Sequence, residues 1–156
     1  MSLVRRAEPE DAAEVLRLRQ VMIDSMADAD PSTAWHTESL PVLESRLAQP
    51  DGDFAAFVVD HPDRPGALAA LVCGTVDYRI GKAGNPHGVV GFVFSVATDP
   101  EARRRGYARA GMSALLEWFR ERGVRRVQLT ASAEARTLYD SLGFLPKPDP
   151  LLELKL

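Results

Sequence analysis

One stretch of this chain is built to hold a negatively charged group: Val96-Ala97-Thr98-Asp99-Pro100-Glu101-Ala102-Arg103-Arg104-Arg105-Gly106-Tyr107-Ala108. An apolar run from Val89 to Ala97 leads into it. Three arginines, a glycine and a small residue follow, and an amphipathic helical pattern then continues to Gly123. A strand, a tight basic turn and a helix N-terminus together make an anion site. The first N–H groups of a helix have no intrahelical partner and point outward, and the helix dipole adds partial positive charge, so phosphate settles there readily. Gly106 lets the backbone approach a ligand closely, and Ala108 keeps a nearby position small. The segment reads as a phosphate or pyrophosphate cradle, or else as a solvated basic turn at a helix start. It is not a P-loop, which needs Gly-Lys-Ser/Thr, nor the dinucleotide fingerprint, which needs three glycines.

Composition frames that stretch. The 156 residues suit a single domain spanning 1–156, and 46% hydrophobic residues suffice for a core. A net charge of −3 gives no general pull toward nucleic acid or membrane. The basic residues are concentrated all the same: Arg103, Arg104, Arg105, Arg109, Arg120, Arg122, Arg125 and Arg126 supply eight of the nineteen. Such clustering suits a local anionic ligand better than a long polyanion. The single Cys73 excludes an internal disulfide and fits a reducing cytoplasm. Arg5 and Arg6 are followed by charges rather than an apolar stretch, so the opening does not read as a secretory leader. No apolar run is long enough to span a bilayer.

The elements that must position the cradle follow from periodicity. Leu3–Arg6 reads as a strand and Pro9 opens a helix whose apolar face is Val15, Leu18, Met22 and Met26. A second helix carries Leu40, Leu43 and Leu47. Phe54–Val59 and Ala67–Tyr78 read as a hairpin, with a bend or bulge placed at Gly74. Val89–Ala97, apolar on both faces, is a central strand. The following helix buries Ala108, Met112, Leu115, Leu116 and Phe119 and leaves Trp118 on its charged side, at the surface or against another subunit. A strand at Val127–Leu129, a helix over Ala133–Leu142 and a closing hairpin of Phe144 with Leu151–Leu156 complete an α/β (α+β) order.

Arg103-x-x-Gly106-x-Ala108 resembles the acetyl-CoA signature of the GCN5-related N-acetyltransferase (GNAT) family, Gln/Arg-x-x-Gly-x-Gly/Ala. The resemblance extends over residues 88–145: Leu138-Tyr139 and Leu142-Gly143-Phe144 are similar to the family's later helix and follow at the expected spacing. It implies a mixed central sheet of about six to seven strands, splayed at the coenzyme site and flanked by about four helices. It also implies an acetyl-CoA-dependent N-acetyltransferase that works by direct transfer in a ternary complex. In that reading Val96, Ala97 and Thr98 pair with the pantetheine arm like an added strand. The loop and helix start from Arg103, Arg104, Arg105, Gly106, Tyr107 and Ala108 to Arg109 hold the pyrophosphate. Backbone N–H groups of Val89–Ala97 receive the oxyanion. Tyr139 is the general acid toward the departing thiolate, its alternative being a tyrosine at the edge of the core. Ser132 stands where many relatives carry asparagine, as a coenzyme contact or a helix cap.

The general base stays open. A primary amine with pKa ~10.4 must lose a proton before attack. Many relatives place a glutamate on the strand before the coenzyme turn, but here that strand reads Phe92-Val93-Phe94-Ser95-Val96. Asp77, Glu38, His36, Asp28, Asp30 or a water relay are the candidates. The two N-terminal helices and the Arg79–Gly88 loop should form the acceptor pocket, with Trp35, Met22 and Met26 either lining it or belonging to the core. The acceptor is a small-molecule or protein amine, and the acidic balance favours a cationic one. No metal is implied, because no Cys/His cluster has ligand spacing. Neither nucleic acid nor membrane is an expected partner, and a homodimer is the assembly the family suggests. The competing readings are another acyl group on the same fold, or a module that binds or senses CoA without catalysis.

Overall fold

Alternating apolar residues and a helical repeat fold into one mixed sheet with helices on both faces. In the computed structural model, which describes residues 3–156, the elements in chain order are β1 (Val4–Arg6), α1 (Ala12–Asp24), α2 (His36–Leu47), β2 (Phe54–Asp60), β3 (Leu68–Tyr78), β4 (Val89–Thr98), α3 (Tyr107–Glu121), β5 (Val127–Leu129) and α4 (Arg136–Ser141). Single 3₁₀ turns at Pro9–Asp11 and Pro100–Ala102 precede α1 and α3. The sheet order is β1-β2-β3-β4-β5; β1 to β4 are antiparallel and β4–β5 is parallel.

The sheet has five strands rather than the expected six to seven. The closing hairpin is what is missing: residues 151–156 are exposed and form no ladder. Pro146, Pro148 and Pro150 fix φ and withhold three N–H donors just where pairing would have to begin. Phe144 still packs on the core, without strand geometry.

Two apolar layers sandwich the sheet. Val15 and Leu18 of α1 and Leu47 of α2 cover Ala56, Leu71 and Ala97 on one face. Met112, Leu115 and Phe119 of α3 cover Ala55, Val72 and Val93 on the other. The approach of α3 is close because the sheet supplies glycines beneath Phe119. A Cβ on Gly91 would lie 2.7 Å from that ring, and one on Gly74 2.8 Å. Gly74 therefore makes room for a helix and does not mark a bulge. Trp118 is buried, not surface-facing as the helical pattern suggests. Arg6 and Arg122 lie over its ring at 5.5 and 4.9 Å, and these cation–π contacts let it tuck under the end of α3.

The bulge sits one strand over. Leu71 pairs with Ala97 but Cys73 pairs with Phe94, so β4 carries one residue more than β3 across this interval. Ser95, at φ 53°, absorbs it. Strand side chains ordinarily alternate between faces. Here the consecutive Phe94 and Ser95 both line one cavity on the α1/α2 face, while Val96 packs on the α3 face.

Candidate functional site

The start of α3 is built by an anchor beneath it and left-handed residues in front of it. Asp99 is 2% exposed, and its Oδ1 accepts the Glu101 N–H at 3.0 Å, capping the 3₁₀ turn. Its Oδ2 accepts Arg17 at 2.9 Å and Arg64 at 2.5 Å. Burial pushes the Asp99 carboxyl up, but the Glu101 N–H and the two guanidiniums outweigh it, and the net direction is down. From this fixed point the chain turns through Arg104 (φ 66°) and Gly106 (φ 77°) into the helix. Gly106 accounts for its own identity: its backbone is left-handed, and a Cβ there would meet nothing within 4 Å. Open space thus lies directly before the helix.

The first intrahelical bond runs from Ala110 N to Gly106 O at 3.0 Å. The N–H groups of Tyr107, Ala108 and Arg109 therefore face outward, and no acidic side chain in the first turn competes for them. The arginines have separate fates. Arg103 and Arg104 are exposed and make no side-chain hydrogen bond or ion pair among the described residues. Arg105 donates to Glu101 O at 3.4 Å, and Arg109 donates to Ser141 Oγ at 2.7 Å.

Beside this helix start the sheet opens. β5 pairs with β4 only from Gly91–Val127 to Val93–Leu129. Val96, Ala97 and Thr98 lie beyond the last of these pairs. Ala97 and Thr98 keep their β3 partners Leu71 and Ala70 on one edge, Val96 falls in the bulge without one, and among the described residues none of the three has a strand on the other edge. Tyr139 stands on α4, among the residues of the cluster that α3 covers. It is 5% exposed, and its ring meets Phe144 edge-on with centroids 5.9 Å apart. Its hydroxyl has no hydrogen-bond partner among the described residues, yet it is not fully enclosed. Burial pushes its pKa up. Ser132 Oγ accepts the Ala135 N–H at 3.3 Å and so caps the turn that enters α4.

On the opposite face two adjoining cavities of about 390 and 210 Å³ share Arg46, Phe54 and Phe94. The smaller reaches the bulge at Ser95 and is walled by Trp35, Leu43 and Leu71. Arg19 and Arg46 are its charged residues, and no carboxylate lines it. Of the expected lining residues Trp35 is present. Met22 instead packs into the core, Met26 is exposed, and the Arg79–Gly88 loop lies elsewhere. None of the base candidates lines either cavity. His36 faces Gln20 at 3.1 Å and Asp77 pairs with Arg79 at 2.9 Å. Asp53 does line the larger cavity, but Arg122 and the Tyr78 hydroxyl hold its Oδ1 at 2.7 and 2.9 Å. Cys73 also borders the smaller cavity, and burial pushes its thiol up to about 12, so it stays protonated and inert.

Sequence reasoning missed Arg19, Ser95 and Asp99. Arg19 carried a readable signal: it follows Val15 by four and so shares the apolar stripe of α1.

His61, Asp99 and Glu101 offer ligand atoms within 4.8 Å of one another. They suit a cation poorly. Arg17 and Arg64 already hold Asp99 Oδ2, and the Asp63 N–H donates to His61 Nδ1 at 3.1 Å, which leaves the proton on Nε2. Among the described residues no helix is long and apolar enough to cross a membrane.

Comparison with known proteins agrees with this architecture. The Acetyltransferase (GNAT) family pattern matches residues 20–144. A mycothiol acetyltransferase of Thermobispora bispora is 33% identical over 123 residues, covering 77% of this chain but only 39% of that protein. The chain thus spans well under half the length of this relative. A GCN5-related N-acetyltransferase from Ralstonia eutropha superposes with a TM-score of 0.79 at 25% identity over 97% of both chains. A predicted acetyltransferase from Clostridium acetobutylicum, crystallised with acetyl-CoA, has a TM-score of 0.80 at 20% identity, covering 99% of this chain and 96% of that one. With a family pattern covering most of its length and a sheet that opens beside the start of α3, the chain belongs to the acetyltransferase (GNAT) family.

Proposed function

We propose that this protein transfers the acetyl group of acetyl-CoA to a primary amine by direct attack in a ternary complex. The observation that carries this reading is the open edge of β4 beside the unpartnered N–H groups of α3. A diphosphate fits at those N–H groups, where Gly106 leaves room for close approach. Arg103 and Arg104 add positive charge, while Arg105 and Arg109 brace the loop and the helix. Val96, Ala97 and Thr98 offer backbone donors and acceptors to the amide-bearing arm of the coenzyme. Ser132 contributes by holding the turn into α4.

Bound acetyl-CoA would supply an activated carbonyl carbon and a thiolate leaving group. The amine nitrogen bonds to that carbon as the carbon–sulfur bond breaks, and the electron pair leaves with sulfur. Tyr139 donates its hydroxyl proton to that sulfur; burial keeps the proton on the phenol until then. The amine gives up its proton to water, since no unpaired carboxylate lines the smaller cavity. We also infer a homodimer in the reducing cytoplasm, where one buried thiol needs no partner. A second reading, a coenzyme-binding module without turnover, draws on the same missing carboxylate. Thiol release in the presence of an amine panel separates the two. Release that depends on the amine supports transfer, and tight coenzyme binding with no release favours the module.

A further inference from the structure

We infer that the acceptor is an amine carrying a carboxylate on an apolar body, and that Arg19 and Arg46 bind that carboxylate. This rests on the acetyl-transfer reading above and names its second substrate. Other half-buried arginines in this protein have partners that occupy them: Arg5 has Asp11 and Asp60, Arg17 has Glu14 and Asp99, Arg122 has Asp53, and Arg6 donates to the Pro50 and Phe54 carbonyls and lies over the Trp118 ring. Arg19 is the exception in the cavity. Its guanidinium donates to Ser95 Oγ and pairs with no acid among the described residues. Arg46 reaches the same space from α2, and it too makes no side-chain hydrogen bond or ion pair there. Two cations facing one small cavity with no acid in its walls repel each other, and an anionic oxygen pair relieves both.

The rest of the cavity fixes the remainder of the molecule. Phe54 and Phe94, with centroids 5.9 Å apart, line both cavities and offer an apolar seat. Ser95 is the bulged residue of β4, one position before the strand's open segment at Val96–Thr98. A carboxylate at Arg19 therefore places an amine one carbon away beside the segment where the acetyl group would arrive. This geometry selects α-amino acids with apolar side chains. It opposes polyamines and other cationic acceptors, whose charges would meet two arginines. The acidic net charge of the whole chain is thus a poor guide to the local field of this cavity.

The test is calorimetric titration with N-acetylphenylalanine and, separately, its uncharged amide N-acetylphenylalaninamide, alongside a titration with acetyl-CoA. The acid should bind at least about tenfold more tightly than the amide, as expected of a charge-assisted contact in a sheltered site. Arg19→Gln should cut that preference to about threefold or less, and raising the salt should weaken acid binding to the unmodified protein. In turnover, phenylalanine should be acetylated faster than phenethylamine or spermidine. Equal binding of acid and amide, or faster acetylation of spermidine, would overturn the inference without the need for any variant. Acetyl-CoA binding without preference for the acid overturns this inference alone. Acid binding without acetyl-CoA binding overturns the transfer reading and, with it, the assignment of the cavity to an acceptor.

Discussion

Arg109 donates to Ser141 Oγ at 2.7 Å, and this bond fastens the first turn of α3 to the helix that carries Tyr139. The anion cradle and the proposed acid are thus held in one frame. Both partners are exposed, so the bond contributes little to stability, within about 1 kcal/mol. Its effect should appear in catalysis. Arg109→Ala and Ser141→Ala should each lower kcat severalfold, and the double variant should lose no more than the worse single one, because both remove the same bond. Losses that multiply would show that the two residues act separately.

Tyr139→Phe keeps the ring against Phe144 and removes only the hydroxyl. We expect kcat to fall by about 10²-fold or more, with acetyl-CoA affinity unchanged. Burial raises the Tyr139 pKa, so the unmodified enzyme should lose activity only above the ordinary phenol value of about 10. That alkaline limb should be absent from the residual activity of the variant. A pH–rate profile decides it: an identical limb in both proteins removes Tyr139 from the chemistry.

The packing of α3 predicts opposite kinds of damage at one contact. Phe119→Ala leaves a hole at a position 1% exposed and should cost about 3–5 kcal/mol. Gly91→Ala instead forces a methyl to within 2.7 Å of the same ring and should cost about 1–3 kcal/mol. Combined with Phe119→Leu, the added methyl should be far better tolerated. Urea unfolding measures all three, and an undiminished cost in the double variant would contradict the contact.

Acid should destabilise the fold through three carboxyls. The Arg5 hydrogen bonds hold Asp11 below its ordinary value. Burial raises Glu14, but Arg17 and the Leu68 N–H outweigh it, and Asp99 behaves likewise. For each group the folded pKa lies below the unfolded one. The stabilisation is therefore complete above about pH 4 and is lost as pH falls through the folded values. Melting temperature should fall steeply below that point. Asp11→Asn should melt lower at neutral pH and lose less on acidification. A flat melting profile from neutral pH to pH 3 would refute the ion-pair account.

Much of the architecture was legible in the chain. The strong period of α3, the two-sided apolar run of β4 and the turn between them each followed from local pattern, and local pattern decides them physically. The features that failed depend on distant partners. Trp118 reads as surface on its own helix, and only Arg6 and Arg122 converging over its ring explain its burial. The terminal leucines alternate like a strand, but the prolines before them leave nothing to pair. Ser95 carries no mark of a bulge, because the extra residue exists only relative to the register of β3. The clamp on Asp99 joins residues 82 and 35 positions away. The cavity beside Arg19 is likewise assembled from α1, α2 and three strands, so its charge could not be read from composition.

The central claim is that the start of α3 and the open edge of β4 bind acetyl-CoA. Calorimetric titration of the protein with acetyl-CoA, beside the same titration of Gly106→Glu, tests it most directly. The substitution puts a carboxylate and a strained side chain at φ 77° before the helix dipole, and should weaken binding by about 10²-fold or more. Saturable binding to the unmodified protein and its loss in the variant is the expected result. Absence of binding, or equal binding by both proteins, would contradict the account and leave the arginine turn as surface.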